Sequence, residues 1–149
     1  MRCDLCPDKP CSAGNPCRTC DAASLYSDSE DLRVMRAASE VEALHYGEYN
    51  RIEEIIDFAH RLGVKKIGLA FCKAFSWEAE RLCRILTKYF ELETVNCKVC
   101  GFTKEETNSV NNDFLANISC NPLGQAAILK EAGTELNIML GLCVGHDAL

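Results

Sequence analysis

The chain is 149 residues long, 48% hydrophobic, with a net charge of −6. That length supports one main core with an appendage, and an acidic balance without any basic cluster excludes affinity gained by releasing counterions from phosphates, so nucleic acid is not an expected partner. No stretch approaches the ~20 apolar residues that span a bilayer, and the opening MRCDLCPDKP lacks the apolar core of a signal peptide, which predicts a cytoplasmic protein with no membrane partner.

Eleven cysteines, an odd number, cannot all pair internally. In a reducing cytosol such density points to metal ligation or thiol chemistry. Five of them, Cys3, Cys6, Cys11, Cys17 and Cys20, fall in the first twenty residues among Pro7, Pro10, Pro16 and Gly14. Prolines and a glycine at that density forbid a helix or a central strand, so residues 1–26 read as an irregular, cysteine-rich metal-binding segment with little to bury. Two CxxC pairs, Cys3/Cys6 and Cys17/Cys20, can each bracket a metal through a tight turn. Four thiolates suit zinc (Zn2+) or an iron–sulfur cluster, and spacing does not choose between the two or say which cysteine is spare.

From Ser27 the texture becomes periodic, and residues 27–149 read as an α/β domain. Ser27 and Glu30 offer a capping box, followed by Val34, Ala37, Ala38, Val41 and Leu44 at helical spacing up to Gly47. A second helix over about 48–62 aligns Tyr49, Ile52, Ile55, Ile56, Ala59 and Leu62 and stops at Gly63. VKKIGLAFC reads as a buried strand over about 64–71. Ser76 caps a helix over about 77–90 that carries Ala79, Leu82, Cys83, Leu86 and Tyr89 inward. LETVNCKVCG is a second strand running into a loop, and TKEE at 103–106 opens a further helix to about 117. In CNPLGQAAILKEAG, Asn121 is the N-cap, Pro122 the first helical residue and Gly133 the stop; ELNIMLGLCVG is the third strand. Alternating strands and helices predict a small parallel sheet, Rossmann-like or flavodoxin-like, with flanking helices.

Ligands of such sheets bind beyond the carboxyl ends of the strands. Each expected strand ends in cysteine: Cys72 after the first, Cys97 and Cys100 around the end of the second, Cys143 after the third. Cys120 precedes Asn121 at a helix N-terminus on the same side, where unpaired amides favour thiolate. Any single cysteine is equally at home as a small core residue, and Cys83, in the middle of an amphipathic helix, reads as core. Ordinary core packing gives no reason for cysteine to close every strand, so a shared site is expected. Beyond Cys143, Gly145 lets His146 and Asp147 face that site, His146 as ligand or acid/base group and Asp147 as its orienter. A solvated turn is the alternative. His45 and His60 read as structural or exposed.

CNPLGQAAILKEAGTELNIMLGLCVGHD, with MRAASEVEA, IGLAFC and CKVCG, resembles a cysteine-rich family of anaerobic bacteria and archaea, a domain of unknown function regarded as metal-binding. The resemblance covers essentially the whole chain. It implies ligands among Cys3, Cys6, Cys11 and Cys17 and again at Cys72, Cys100, Cys120 and Cys143, with Cys20 and Cys83 as extras. It also implies a chain that continues past the GHD block into another strand, so that the present one ends early.

Three functions follow as expectations. The first is metal binding through the cysteine clusters, zinc or iron–sulfur, with redox or electron-transfer duty and a redox partner protein; soft thiolate ligands and the anaerobic habit implied by the resemblance favour it. The second is a thiol enzyme with Cys120 as nucleophile, His146 as base and Asp147 as orienter. The third is a non-catalytic, zinc-ordered interaction or metal-sensing module. No GxGxxG or GxxxxGK[ST] fingerprint argues for a nucleotide.

Overall fold

A backbone that repeats strand, helix, strand, helix, strand leaves each strand's two faces to be covered from opposite sides, and that is how the chain folds. The structure, a computed structural model, describes every residue except Met1, Asn112, Asp113 and Leu115, with Ala22 as backbone only. Three parallel strands, β1 (Lys66–Phe71), β2 (Glu91–Asn96) and β3 (Leu136–Leu140), lie in the order β2-β1-β3. The helices are α1 (Ala22–Leu25), α2 (Ser29–His45), α3 (Arg51–Arg61), α4 (Ser76–Leu86) and α5 (Pro122–Glu131).

Side chains alternate along a strand, so Ile67 and Ala70 of β1 face opposite layers. On the first face Ile67 packs with Ala59 of α3, Leu86 of α4, Val64 and Phe90. On the second, Ala70 packs with Val95 of β2 and Leu129 of α5. Ile67, Leu69 and Leu86 are wholly buried, each stabilising the fold by about 1.5–3 kcal/mol relative to exposure. The central strand is apolar on both faces for this reason, whereas β3, at an edge, leaves Met139 exposed.

Local signals set the helix ends with some corrections. Asn50 caps α3 in a full capping box with Glu53, and Asn121 caps α5 by accepting from the Gly124 amide (2.9 Å), with Pro122 at the first position. For α2 the cap is Asp28, whose carboxylate takes the amides of Glu30 (2.7 Å) and Asp31 (3.3 Å); Ser27 lies one residue too early. Ala37 and Val41 of α2 are buried, but Val34 and Leu44 are exposed because the helix packs mainly on α3 rather than on the sheet. α4 begins at Ser76 itself, whose hydroxyl donates to the Lys73 carbonyl (2.6 Å), and it ends at Leu86; Phe90, not Tyr89, turns inward.

The helix expected over 103–117 does not form. Thr103 and Glu106 make the reciprocal bonds of a capping box, but the turn closes at Asn108 (φ 51°) and Thr103 pairs with Ile118 in an antiparallel bridge. A cap starts a helix only where an apolar stripe follows, and NSVNND supplies none. Part of that expected helix lies outside the described residues. Among the described residues no helix is long and apolar enough to cross a membrane.

Candidate functional site

In a sheet ordered β2-β1-β3, the chain leaves β1 toward one side for β2 and crosses back to the other for β3. The strand order therefore reverses at β1, and the crevice beyond the carboxyl ends of β1 and β3 is the place where such folds seat ligands. Cys72 and Cys143 flank it in sequence, each just past its strand.

The backbone stitches four cysteine-bearing segments together there. The Cys72 amide donates to the Leu140 carbonyl (3.0 Å), the Cys97 amide to Phe71 (2.9 Å) and the Asn121 amide to Cys97 (2.8 Å). Cys97 is buried, and its sulfur accepts the Lys73 amide at 3.4 Å. Burial pushes the Cys97 thiol above its ordinary pKa; the Lys73 amide opposes this, while the Cys120 and Cys72 thiols add to it, Cys120 also through a hydrogen bond. The Cys143 thiol is raised in the same way: desolvation leads, the Cys72 and Cys120 thiols contribute, Cys72 through a hydrogen bond as well, and the Lys98 ammonium pulls the other way. Cys97 and Cys143 are thus each near enough to Cys72 and Cys120 to feel their sulfurs electrostatically.

Two polar side chains frame this group. Lys98 is half-buried; its Nζ donates to the Ile118 carbonyl (2.7 Å) and lies 3.4 Å from Cys120 Sγ. Gln125, 2% exposed on α5, donates through Nε2 to the carbonyls of Val95 (2.7 Å) and Phe71 (3.3 Å), tying α5 to the ends of β1 and β2, while its Oε1 is buried without a partner. Gln125 is the Gln of the CNPLGQA block. That block therefore holds a thiol, a helix cap and a strand clamp within six residues.

Cys100 is exposed in the turn Val99–Gly101 with φ 68°. Cys97 takes the inward position because it lies two residues beyond buried Val95, on the same face of the extended chain; that alternation was the available signal. Lys98 and Gln125 carried no such signal, since neither residue type announces a site. The His146 amide donates to the Cys143 carbonyl (2.9 Å) in a turn at Gly145 (φ 81°), so the turn expected there is present. The His146 ring is half-buried, Asp147 is exposed, and among the described residues neither side chain hydrogen-bonds to a cysteine. Cys83 is half-buried on α4, its thiol raised by desolvation, away from the strand ends.

In the N-terminal segment the Cys6 amide donates to the Cys3 carbonyl (3.2 Å), a tight CxxC turn, and Lys9 Nζ rests on the carbonyls of Cys3 (2.5 Å) and Cys6 (2.6 Å). A second short turn, Pro10–Ala13, carries Cys11. Cys3, Cys11, Cys17 and Cys20 are exposed and Cys6 is half-buried; all eleven cysteines are free thiols. Among the described residues no three Cys, His, Asp or Glu side chains converge closely enough to hold one ion. The strand-end sulfurs are neighbours rather than a closed shell. Their chemistry, sulfur throughout with no carboxylate among them, suits a thiophilic metal, which side-chain rotation would have to enclose.

Residues 12–149 match a family described as protein of unknown function (DUF1847). The chain belongs to this family. All the strand-end cysteines fall within the family's matched residues, whereas Cys3, Cys6 and Cys11 precede them. The chain is also similar to the uncharacterized protein MJ0455 of Methanocaldococcus jannaschii, with 42% identity over 154 residues that cover 100% of this chain and 79% of that protein. No solved structure matches the chain.

Proposed function

We propose that this DUF1847 protein binds a thiophilic metal, zinc or an iron–sulfur cluster, through the strand-end cysteines. The observation that carries the reading is that Cys72, Cys97, Cys120 and Cys143, far apart in sequence, gather at the strand-order reversal, where the fold has its natural ligand crevice. Bound there, zinc would be structural, and a cluster would supply one-electron chemistry to a redox partner protein. The chain's own part is to present four sulfurs from rigid strand and helix ends and to shield Cys97 from solvent. The N-terminal CxxC pairs, Cys3/Cys6 and Cys17/Cys20 with Cys11 between, are proposed as a second, independent thiolate site.

The test is purification without oxygen, followed by measurement of iron, acid-labile sulfide and zinc per chain and a visible spectrum. Wild type is compared with Cys72→Ser, Cys97→Ser, Cys143→Ser and Cys100→Ser. Metal that falls in the Cys97 variant and stays in the Cys100 variant supports the reading. A metal content unaffected by Cys97→Ser, Cys72→Ser and Cys143→Ser would refute it.

A second reading has its own observation: Cys120 lies at the N-terminus of the ten-residue helix α5 with the Lys98 ammonium 3.4 Å from its sulfur. In this reading Cys120 is the nucleophile, with His146 and Asp147 as base and orienter. Selective iodoacetamide labelling of Cys120 in fully metallated protein would favour this reading; protection of Cys120 until the metal is stripped would sink it.

A further inference from the structure

We propose that Lys98 is the internal counter-cation of the strand-end thiol site, offsetting the negative charge that accumulates when Cys72, Cys97, Cys120 and Cys143 take up a metal. This inference rests on the metal-binding reading above.

Lys98 follows Cys97 directly, and its side chain is half-buried with the ammonium held from two sides, by the Ile118 carbonyl at 2.7 Å and the Cys120 sulfur at 3.4 Å. A desolvated ammonium ordinarily finds a carboxylate, because removing its water without a compensating anion is costly. Among the described residues Lys98 has none: every ion pair among them involves other residues, in the N-terminal segment, on α2, α3 and α4, or at Glu48 in the turn between α2 and α3. A sulfur stands where the anion is expected.

Loading the site would put an anion there. Four thiols that bind one divalent ion release four protons, and four thiolates with one divalent cation carry two net negative charges. One ammonium at hydrogen-bonding distance halves that excess in a partly desolvated place, where screening by water is weakest. The Ile118 carbonyl bond fixes the ammonium from the side of the loop that leads into Cys120, so the charge cannot swing out to solvent without breaking a bond. Lys73, the other lysine beside the site, contributes its backbone amide to Cys97. The N–H···S bond of Lys98 belongs to the class of outer bonds that orient and tune metal ligands.

The experiment uses Co2+ as the probe, whose thiolate charge-transfer band reports sulfur ligation. The full chain, Lys98→Met, Lys98→Gln and Lys98→Arg are titrated at pH 7 and low salt, with Cys72→Ser/Cys97→Ser as the blank that isolates the strand-end band from the N-terminal cysteines. Lys98→Arg should bind within about threefold of wild type, while Lys98→Met and Lys98→Gln, which lack the charge, should bind about tenfold or more weakly. The band per bound ion should not change, because all four sulfurs remain. Lys98→Gln retains a hydrogen-bond donor for the Ile118 carbonyl and so guards against simple misfolding, as does the melting temperature of the metal-free protein. Wild-type affinity in both neutral variants overturns the proposal. So does a weaker band per bound ion, since Lys98 would then arrange the sulfurs rather than balance their charge. Absence of a strand-end band in the wild type is a different failure, that of the metal-binding reading itself.

Discussion

Truncating Gln125 tests whether the thiol-bearing ends of β1 and β2 are held by α5. The amide gives two hydrogen bonds, to Val95 and Phe71 carbonyls, from a side chain 2% exposed. Each is worth about 1 kcal/mol net, and the space vacated by Gln125→Ala adds about 1 kcal/mol more. The sum of about 3 kcal/mol should lower the melting temperature of a chain this size by about 6–12 °C. Gln125→Leu loses the same two bonds but leaves no void and buries an apolar side chain of similar size, worth about 1.5–3 kcal/mol. Leucine should therefore melt well above alanine and near wild type. Differential scanning calorimetry on the metal-free protein decides it. A Gln125→Ala melting temperature within about 2 °C of wild type would show that the clamp contributes nothing net and refute the reasoning. If the clamp is real, Gln125→Leu, although stable, should bind Co2+ more weakly at the strand ends, because the strand ends that lead into Cys72 and Cys97 lose their tie to α5.

Gly141→Ala should destabilise by about 2–4 kcal/mol in urea titration, since a Cβ there would sit 2.3 Å from the Phe75 ring on a backbone with φ 60°. Asn121→Ala removes the α5 cap and should cost about 1 kcal/mol by the same assay, with Asn121→Asp retaining most of it. Because the Cys97 and Cys143 thiols are raised, they stay protonated as pH climbs through the ordinary thiol range. Mass-spectrometric alkylation of the metal-free protein at pH 8 should therefore label Cys97 at least about tenfold more slowly than exposed Cys17. The sign for stability follows: the neutral thiols' contribution is fully present below the ordinary thiol pKa and is lost as pH rises through the elevated folded-state values, so urea midpoints should decline at alkaline pH, less so in Cys97→Ser.

Much of the architecture was legible from local physics. The cap at Asn121, the stops at Gly63 and Gly133, and the short apolar runs between them are read within a few residues of themselves, and the structure keeps all of them. Where two local signals competed, neighbours decided. The box at Thr103 and Glu106 is formed in full yet leads to one turn, because the backbone leaves the helical region at Asn108 (φ 51°). Val34 and Leu44 have the spacing of core residues and remain exposed, because α2 packs mainly on α3 and spacing cannot say how many partners a helix face will meet.

The site divides along the same line. That cysteines close the strands, and that a parallel sheet presents strand ends on one edge, follows from composition and periodicity, both properties of the chain in order. Which sulfurs become neighbours is a question of distances between residues such as Cys72 and Cys143, separated by the whole sheet in sequence, and only the β2-β1-β3 order and its register answer it. The turn after β2 hides Cys97 and exposes Cys100. Folding also sets the Lys98 ammonium against the Cys120 sulfur and leaves Gln125 across two strand ends. Those contacts are made across segments whose separation no local pattern encodes, which is why the thiols could be counted in the sequence while their companions had to be found in the fold.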